Sequence, residues 1–161
     1  MSTQFPTKVD IEEGDRTKLV DLLNVGLANS LDLYSQVKQA HWNVRGMFFY
    51  GRHEMFDEIA EHLEHHADEL AERAGTLGGY ANGTVRQSAS NSEIPEYNFD
   101  ATTAKQHLAA LTERYGKHGE STSKAQKRVQ KIDEIVTEDL FTEILREVEM
   151  DLWFLQSHLQ D

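Results

Sequence analysis

Proline is nearly absent from this 161-residue sequence, in which Pro6 and Pro95 are the only two. Because proline disrupts helix interiors, the long stretches on either side of Pro95 are free to be helical. In both stretches apolar residues recur at intervals of three and four, the period of an α-helix, and not at every second position as in a half-buried strand. The sequence therefore predicts an all-α protein.

The stretch before Pro95 predicts two amphipathic helices. The first covers residues 15–45 and ends at Gly46, and the second covers about residues 49–77 and ends at Gly78-Gly79, since glycine is the usual residue just past a helix C-terminus. The apolar stripe of the first contains Val20, Leu23, Leu27, Leu31, Tyr34, Val37 and His41. That of the second contains Phe56, Ile59, Leu63, Leu70, Ala74 and Leu77.

The remainder of the chain predicts a long connection and two further helices. Residues 79–99 are rich in Gly, Ser and Asn, so they form a crossover in which we expect one short helix. Asp100 is the predicted N-cap of the third helix, Gly116 and Gly119 weaken it, and a break near Asp133 precedes the fourth. The third stripe contains Leu108, Leu111, Tyr115, His118, Thr122, Ala125, Val129 and Ile132; the fourth contains Phe141, Ile144, Leu145, Val148, Leu152, Leu155 and Leu159.

Four amphipathic helices joined by one long crossover are typical of a ferritin-like four-helix bundle, in which the second and third helices run parallel. We divide the chain into a short tail, residues 1–14, and one bundle domain, residues 15–161. The chain contains no cysteine, which excludes disulfides, Fe–S clusters and thiolate zinc sites. Any metal ion must therefore bind through His, Asp, Glu or water.

Four potential metal ligands share one face of the second helix. At about 100° per residue, His53, Asp57, Asp68 and Glu72 lie within about 100° of each other and away from the apolar stripe. Asp57 and Asp68 are separated by about 16 Å along the axis, too far for the ligands of one ion. A second copy of the helix, packed antiparallel about a two-fold axis, would place His53 opposite Glu72 and Asp57 opposite Asp68, because both pairs have the same sum of residue numbers.

The pattern thus predicts two equivalent clusters between two chains, to which His41 can add an imidazole. Nitrogen and oxygen donors without thiolate suit Fe(II), Mn(II) or Zn(II), with iron favoured for redox chemistry. Solvated acidic positions beside an unrelated histidine remain the alternative interpretation.

Three other metal sites are weaker candidates. No Glu lies three residues before a histidine, which excludes the Glu-x-x-His pairs of a di-iron site inside one bundle. The run from His53 to Asp57 misses the H-E-x-x-H pattern of zinc proteases at its last position. His62 and His66 have the spacing of a zinc-binding pair but lie on another side of the helix, where a solvated or partly buried pair is the alternative.

The same residues carry a resemblance to a known family. The run His41-Trp42-Asn43-Val44-Arg45-Gly46, then His53, Asp57, Asp68, Ala71-Glu72-Arg73 and Leu77-Gly78-Gly79, resembles the Dps family of mini-ferritins, the DNA-binding proteins from starved cells. The resemblance extends from about residue 15 to Leu152-Trp153-Phe154 near the end. It implies a hollow homododecamer of four-helix bundles, with a short helix in the crossover.

The resemblance also implies the chemistry. Members of the family bind Fe(II) at a two-iron ferroxidase centre between two subunits, oxidise it preferentially with hydrogen peroxide, and store ferric mineral in the cavity. His41, His53 and Asp57 are implied ligands from one subunit, with Asp68 and Glu72 from the other.

Further roles follow from the resemblance, each with a simpler alternative. Glu54, Glu58 and Glu61 would nucleate mineral on the cavity wall, or they are ordinary solvated helix charges. Trp42 would donate electrons beside the site, or it serves packing. The acidic residues that would line the three-fold iron-uptake pores are Glu134, Asp139 and Glu143, although acidic residues are also common near a helix N-terminus.

DNA binding is doubtful in this sequence, although a nucleoid-condensing protein with secondary iron chemistry is the alternative function. The formal net charge is −12, and residues 1–14 hold one lysine against three acidic residues. Lys124, Lys127, Arg128 and Lys131 form the one basic group, which also fits a solvated helix face. No apolar run is long enough to span a membrane and no secretory signal is recognised, so the predicted compartment is the cytoplasm, with nucleoid association left open.

Overall fold

The computed structural model describes residues 5–160, within which the regular elements are five helices. They are α1 (Glu13–Asn43), α2 (Phe49–Thr76), α3 (Val85–Asn91), α4 (Ala104–Gln130) and α5 (Ile135–Ser157). The all-α prediction is confirmed, and so is the short helix within the crossover. No helix in this part of the chain is long and apolar enough to cross a membrane.

Contacts between the helices establish their directions. Gly26 of α1 meets Leu70 of α2, and further along α1 Lys38 reaches back to Asp57, so these two helices are antiparallel. Helices α4 and α5 are antiparallel by the same argument, because they make the contacts Gln126–Glu138 and Gly119–Val148. Helices α2 and α5 are also antiparallel, because they make the contacts His66–Glu147 and His62–Asp151. Helices α2 and α4 are therefore parallel, as the long crossover predicted.

The core is formed by the predicted apolar stripes, with Phe56, Leu111, Tyr115 and Phe141 among its largest buried side chains. Just after the end of α2, the backbone passes close to α1 at Gly79. A Cβ atom at this position would lie 2.5 Å from the side chain of Val20, so a larger residue at position 79 would push the backbone away from α1. The glycines after α2 are thus required by packing as well as by the helix end.

One helix boundary differs from the sequence prediction by more than two residues. The N-cap of α4 is Thr103 and not Asp100. Thr103 accepts a hydrogen bond from the backbone N–H of Gln106, and the side-chain oxygen of Gln106 accepts one from the backbone N–H of Thr103. This reciprocal capping box satisfies two helix N–H groups, whereas Asp100 lies too early to reach them. Helix α4 then continues through both Gly116 and Gly119.

The predicted tail lies partly against the bundle. Residues 1–4 of the tail, and Asp161 at the other end of the predicted domain, are outside the described residues. The backbone N–H of Phe5 donates to the carbonyl of Gly78 at 2.6 Å, and Thr7 donates to the carbonyl of Thr76. Residues 5–7 therefore lie against the end of α2, and α1 begins at Glu13.

Candidate metal centre

The end of α1 and the start of α2 bring two histidines together. The rings of His41 and His53 are stacked with their centroids 3.7 Å apart. Nδ1 of His41 bonds to the backbone carbonyl of His53 at 2.9 Å, and Nδ1 of His53 bonds to the carbonyl of His41 at 3.0 Å. Each imidazole is thus fixed by the backbone that carries the other.

These two hydrogen bonds determine which nitrogen can bind a metal. A carbonyl oxygen only accepts, so Nδ1 of each ring must carry the hydrogen. Nε2 of each ring then holds a lone pair, the form in which a neutral imidazole ligates a metal ion. The structure therefore holds two oriented nitrogen donors before any metal is bound.

Asp57 adds a carboxylate to the histidine pair. One of its oxygens lies 3.8 Å from Nδ1 of His41, and the same oxygen accepts a 2.5 Å hydrogen bond from Nζ of Lys38. The bond from Lys38 is the main reason that the pKa of Asp57 is below its ordinary value. Asp57 is therefore ionised and paired with a cation, which an incoming metal ion would have to displace.

Asp68 and Glu72 lie about three and four turns beyond Asp57 along α2 and are exposed. Across the part of the chain that the structure describes, neither carboxylate has a hydrogen bond or an ion pair. Asp68 faces an open cleft of about 650 Å³, whose walls include Leu27, Leu31 and Glu61. These two carboxylates are thus available to groups from outside the chain.

The five predicted ligands therefore form two separate sets on one chain. His41, His53 and Asp57 come together, whereas Asp68 and Glu72 do not join them. Over residues 5–160, no three His, Asp or Glu side chains are placed to hold a metal ion. Closing a centre from these residues requires a second chain.

The residues predicted around the centre are exposed. Glu54, Glu58 and Glu61 project from α2 into solvent. Trp42 is 63% exposed beside His41 and borders a cleft of about 570 Å³ that Tyr97 also lines. A packing role within one chain does not explain an indole so exposed.

The three predicted pore residues have different environments. Glu134 caps α5 by accepting hydrogen bonds from the N–H groups of Val136 and Thr137, and it pairs with Arg73 at 2.9 Å. Burial works to raise the pKa of Glu134, but these bonds outweigh it and hold the pKa below its ordinary value. Asp139 and Glu143 are exposed.

Sequence analysis missed several polar partners. Lys38 beside Asp57 carried no signal, because a lysine at a helix surface is ordinary. His62 and Asp151 form a contact of 3.1 Å, and His66 and Glu147 one of 2.7 Å, between α2 and α5. The sequence contains a pattern that predicts these contacts. On each helix the two residues are four positions apart, so both lie on the same face and can contact one neighbouring helix.

Comparisons with known proteins agree with this architecture. A family model described as a Ferritin-like domain matches residues 20–161. The chain is 36% identical over 155 residues to the "DNA protection during starvation protein" of Agrobacterium fabrum, covering 96% of each chain.

Solved structures also match over the whole bundle. DpsA14 from Streptomyces coelicolor superposes with a TM-score of 0.93 at 34% identity, covering 99% of this chain and 95% of that one. Mycobacterium smegmatis Dps does so with a TM-score of 0.90 at 32% identity, covering 100% and 95%. The chain is therefore a member of the Dps family of ferritin-like proteins.

Proposed function

We propose that this protein is an iron-storing mini-ferritin whose ferroxidase centre is shared between two chains. His41, His53 and Asp57 of one chain would face Asp68 and Glu72 of another, giving two imidazoles and three carboxylates. The observation that carries the proposal is the His41–His53 pair, in which both Nδ1 atoms are bonded to carbonyls and both Nε2 atoms are left for metal. Such donors stabilise Fe(III) as well as Fe(II).

The expected reaction has Fe(II) and hydrogen peroxide as substrates. Two Fe(II) ions give one electron each, and peroxide takes up both electrons and two protons to leave as two molecules of water. The fixed imidazoles hold both ions at one site, so that both electrons are delivered together. Trp42 lies next to a ligand and is exposed, which suits a reserve electron donor.

The proposed storage of iron depends on exposed carboxylates outside the ferroxidase centre. The exposed Glu54, Glu58 and Glu61 would nucleate ferric mineral, and Asp139 and Glu143 would line the uptake pores. We expect twelve chains to enclose the mineral, with the ferroxidase centre at each two-fold interface, and the cytoplasm as the compartment.

A complementation experiment tests whether the centre is shared. One variant carries His53→Ala with Asp57→Ala, and the other carries Asp68→Ala with Glu72→Ala. Each homo-oligomer should lose tight Fe(II) binding and peroxide-dependent oxidation, because every site lacks half of its ligands. Co-refolding the two should restore activity, since a mixed pair rebuilds one of its two sites from intact halves.

The matched control is Glu149→Ala with His158→Ala, an exposed carboxylate and an exposed histidine outside α2, which should leave oxidation unchanged. Mass analysis must show that the subunits mix. If they mix and no activity returns, or if either ligand variant alone oxidises Fe(II) normally, the ligand assignment is wrong.

A second function, condensation of DNA, has one observation in its favour. Lys127, Arg128 and Lys131 are exposed near the end of α4, and within residues 5–160 none of them has an ion-pair partner. Against it stands the formal net charge of −12. A gel shift without added metal that weakens as salt increases would support DNA binding through phosphate contacts.

A further inference from the structure

A second cluster of histidines and carboxylates lies inside the bundle, away from the interface ligands. His62 and His66 of α2 face Glu147 and Asp151 of α5. Asp151 and His66 are almost completely buried, with 1% and 2% of their surface exposed. Polar groups this deep require partners, because burying them unpaired is costly.

The ring nitrogens of the two histidines point at one carboxylate. Nε2 of His66 lies 2.7 Å from one oxygen of Glu147, and Nε2 of His62 lies 3.8 Å from the other. Ligands bound to a tetrahedral ion at about 2.0–2.2 Å are separated by roughly 3.3–3.6 Å, a value between these two distances. These two nitrogen–oxygen separations thus lie on either side of the distance between two ligands of one ion.

Asp151 has the role of an orienting group. Its oxygens lie 3.1 and 3.2 Å from Nδ1 of His62, so the carboxylate holds the hydrogen on that nitrogen and leaves the lone pair on Nε2. A carboxylate behind a histidine is the usual way in which a metal-binding imidazole is fixed.

Unpartnered atoms occur around the same cluster. Nδ1 of His66 and both ring nitrogens of His118 are buried and, within residues 5–160, have no hydrogen-bond partner. His118 is 1% exposed, and its neighbours in the core include His66. Several unsatisfied polar groups at one place in a core indicate a bound ion or water.

The cluster is also accessible. His66 and Glu147 line an open cleft of about 320 Å³ between α2 and α5, and the side chain of Glu147 is 38% exposed. As the structure stands, Glu147 and His66 are in direct contact, and no three donors surround a common point. Rotation of the exposed Glu147 carboxylate toward the cleft would make room for an ion.

We propose that His62, His66 and Glu147 form a second site for a divalent transition-metal ion within each chain, with Asp151 orienting His62. Two imidazoles and one carboxylate, with a position left for water, suit Zn(II), Co(II) and Fe(II). Because all its ligands come from one chain, this site is independent of the proposed ferroxidase function.

Cobalt titration of the assembled protein tests the proposal. Co(II) is added to wild type and to a His53→Ala/Asp57→Ala variant, in which the interface site is disabled. After equilibrium dialysis, the variant should retain about one Co(II) per chain, with the visible absorption of four-coordinate cobalt. Adding His62→Gln to this variant should remove that ion and its absorption.

His65→Gln is the matched control, since His65 is adjacent to His66, is exposed at the same cleft and, within residues 5–160, forms an ion pair with Glu69 alone. Glu147→Gln is a second test variant, which keeps the side-chain volume at a half-exposed position. Circular dichroism and size measurements show whether each variant is folded and assembled.

The outcomes separate the two proposals. Retention of the ion in folded His62→Gln and Glu147→Gln variants, equal loss in His65→Gln, or no cobalt bound to the interface-disabled variant would overturn the intrachain site. Equal cobalt binding by wild type and the interface-disabled variant would instead count against the shared ferroxidase centre.

Discussion

At the scale of single residues, Glu134 has the structural role that the sequence offered as the alternative to a pore residue, that of an acidic group at a helix N-terminus. It caps the first turn of α5 and forms a largely buried ion pair with Arg73. A carboxylate used in this way has little freedom to bind passing iron. Of the three predicted pore residues, Asp139 and Glu143 remain as those with free exposed charge.

Replacing Glu134 with alanine should therefore destabilise the protein. The loss of the cap alone should lower the free energy of unfolding by about 1 kcal/mol, and the unpaired Arg73 adds to it. Asp139→Ala, five residues later and exposed, should change it by less than about 0.5 kcal/mol. Denaturant unfolding of both variants measures the difference; equal effects would contradict the capping role.

The candidate site was predictable from sequence to the extent that it depends on helix geometry. The separation of His53 and Asp57 from Asp68 and Glu72 follows from the rise per residue of a helix, and all four residues lie on α2 in the structure. The stacking of His41 on His53 and the Lys38–Asp57 bond depend on how α1 and α2 meet. Local periodicity does not contain that information.

At the scale of elements, α2 and α4 carry polar groups into the core. His118 of α4 is fully buried, and its burial lowers its pKa from 6.5 to about 3. The unfolded chain binds a proton there below pH 6.5, whereas the folded chain does not until about pH 3. Stability should therefore be lost as the pH falls through this window.

His118→Leu should reduce this sensitivity to acid. Between pH 6.5 and about 4.5, wild type should lose about 2 kcal/mol more stability than the variant, at about 1.4 kcal/mol per pH unit. Urea unfolding in the presence of a chelator measures both proteins at several pH values. Parallel curves for the two would show that His118 is not buried as a neutral imidazole.

Helix positions were also predictable, because core-facing stripes and terminal glycines are local signals. Helices α1, α2 and α5 begin or end within two residues of their predicted limits at residues 15, 45, 49 and 77 and after Asp133. The start of α4 was wrong because Asp100 and Thr103 are both good capping residues. What selects Thr103 is the pair of hydrogen bonds that it exchanges with Gln106, which lies three residues later in the sequence.

At the scale of the whole molecule, the net negative charge of the chain should attract Fe(II) and direct it toward the proposed uptake pores. The chain carries 28 acidic residues against 16 basic ones. If Asp139 and Glu143 line a shared pore, three copies concentrate that charge at one opening. The effect must depend on salt, since exposed charges are screened over about 10 Å at 0.1 M ionic strength.

Asp139→Asn combined with Glu143→Gln should slow Fe(II) oxidation several-fold at low ionic strength while leaving assembly intact. The difference from wild type should shrink as salt is added, because screening removes the steering that the variant lacks. Stopped-flow absorbance of ferric product provides the rates. Identical rates at low ionic strength would exclude a steering role for these residues.

The separation of the imidazoles from Asp68 and Glu72 along α2 has a consequence for newly made protein. With the centre divided as proposed, the described residues 5–160 of a single chain hold half a centre at each of two places and no complete one. Fe(II) would then have no reactive site on unassembled chains, and its oxidation by peroxide would be confined to assembled oligomers. While chains are mostly dissociated, the number of reactive centres would rise with the square of their concentration, so that assembly itself switches the chemistry on.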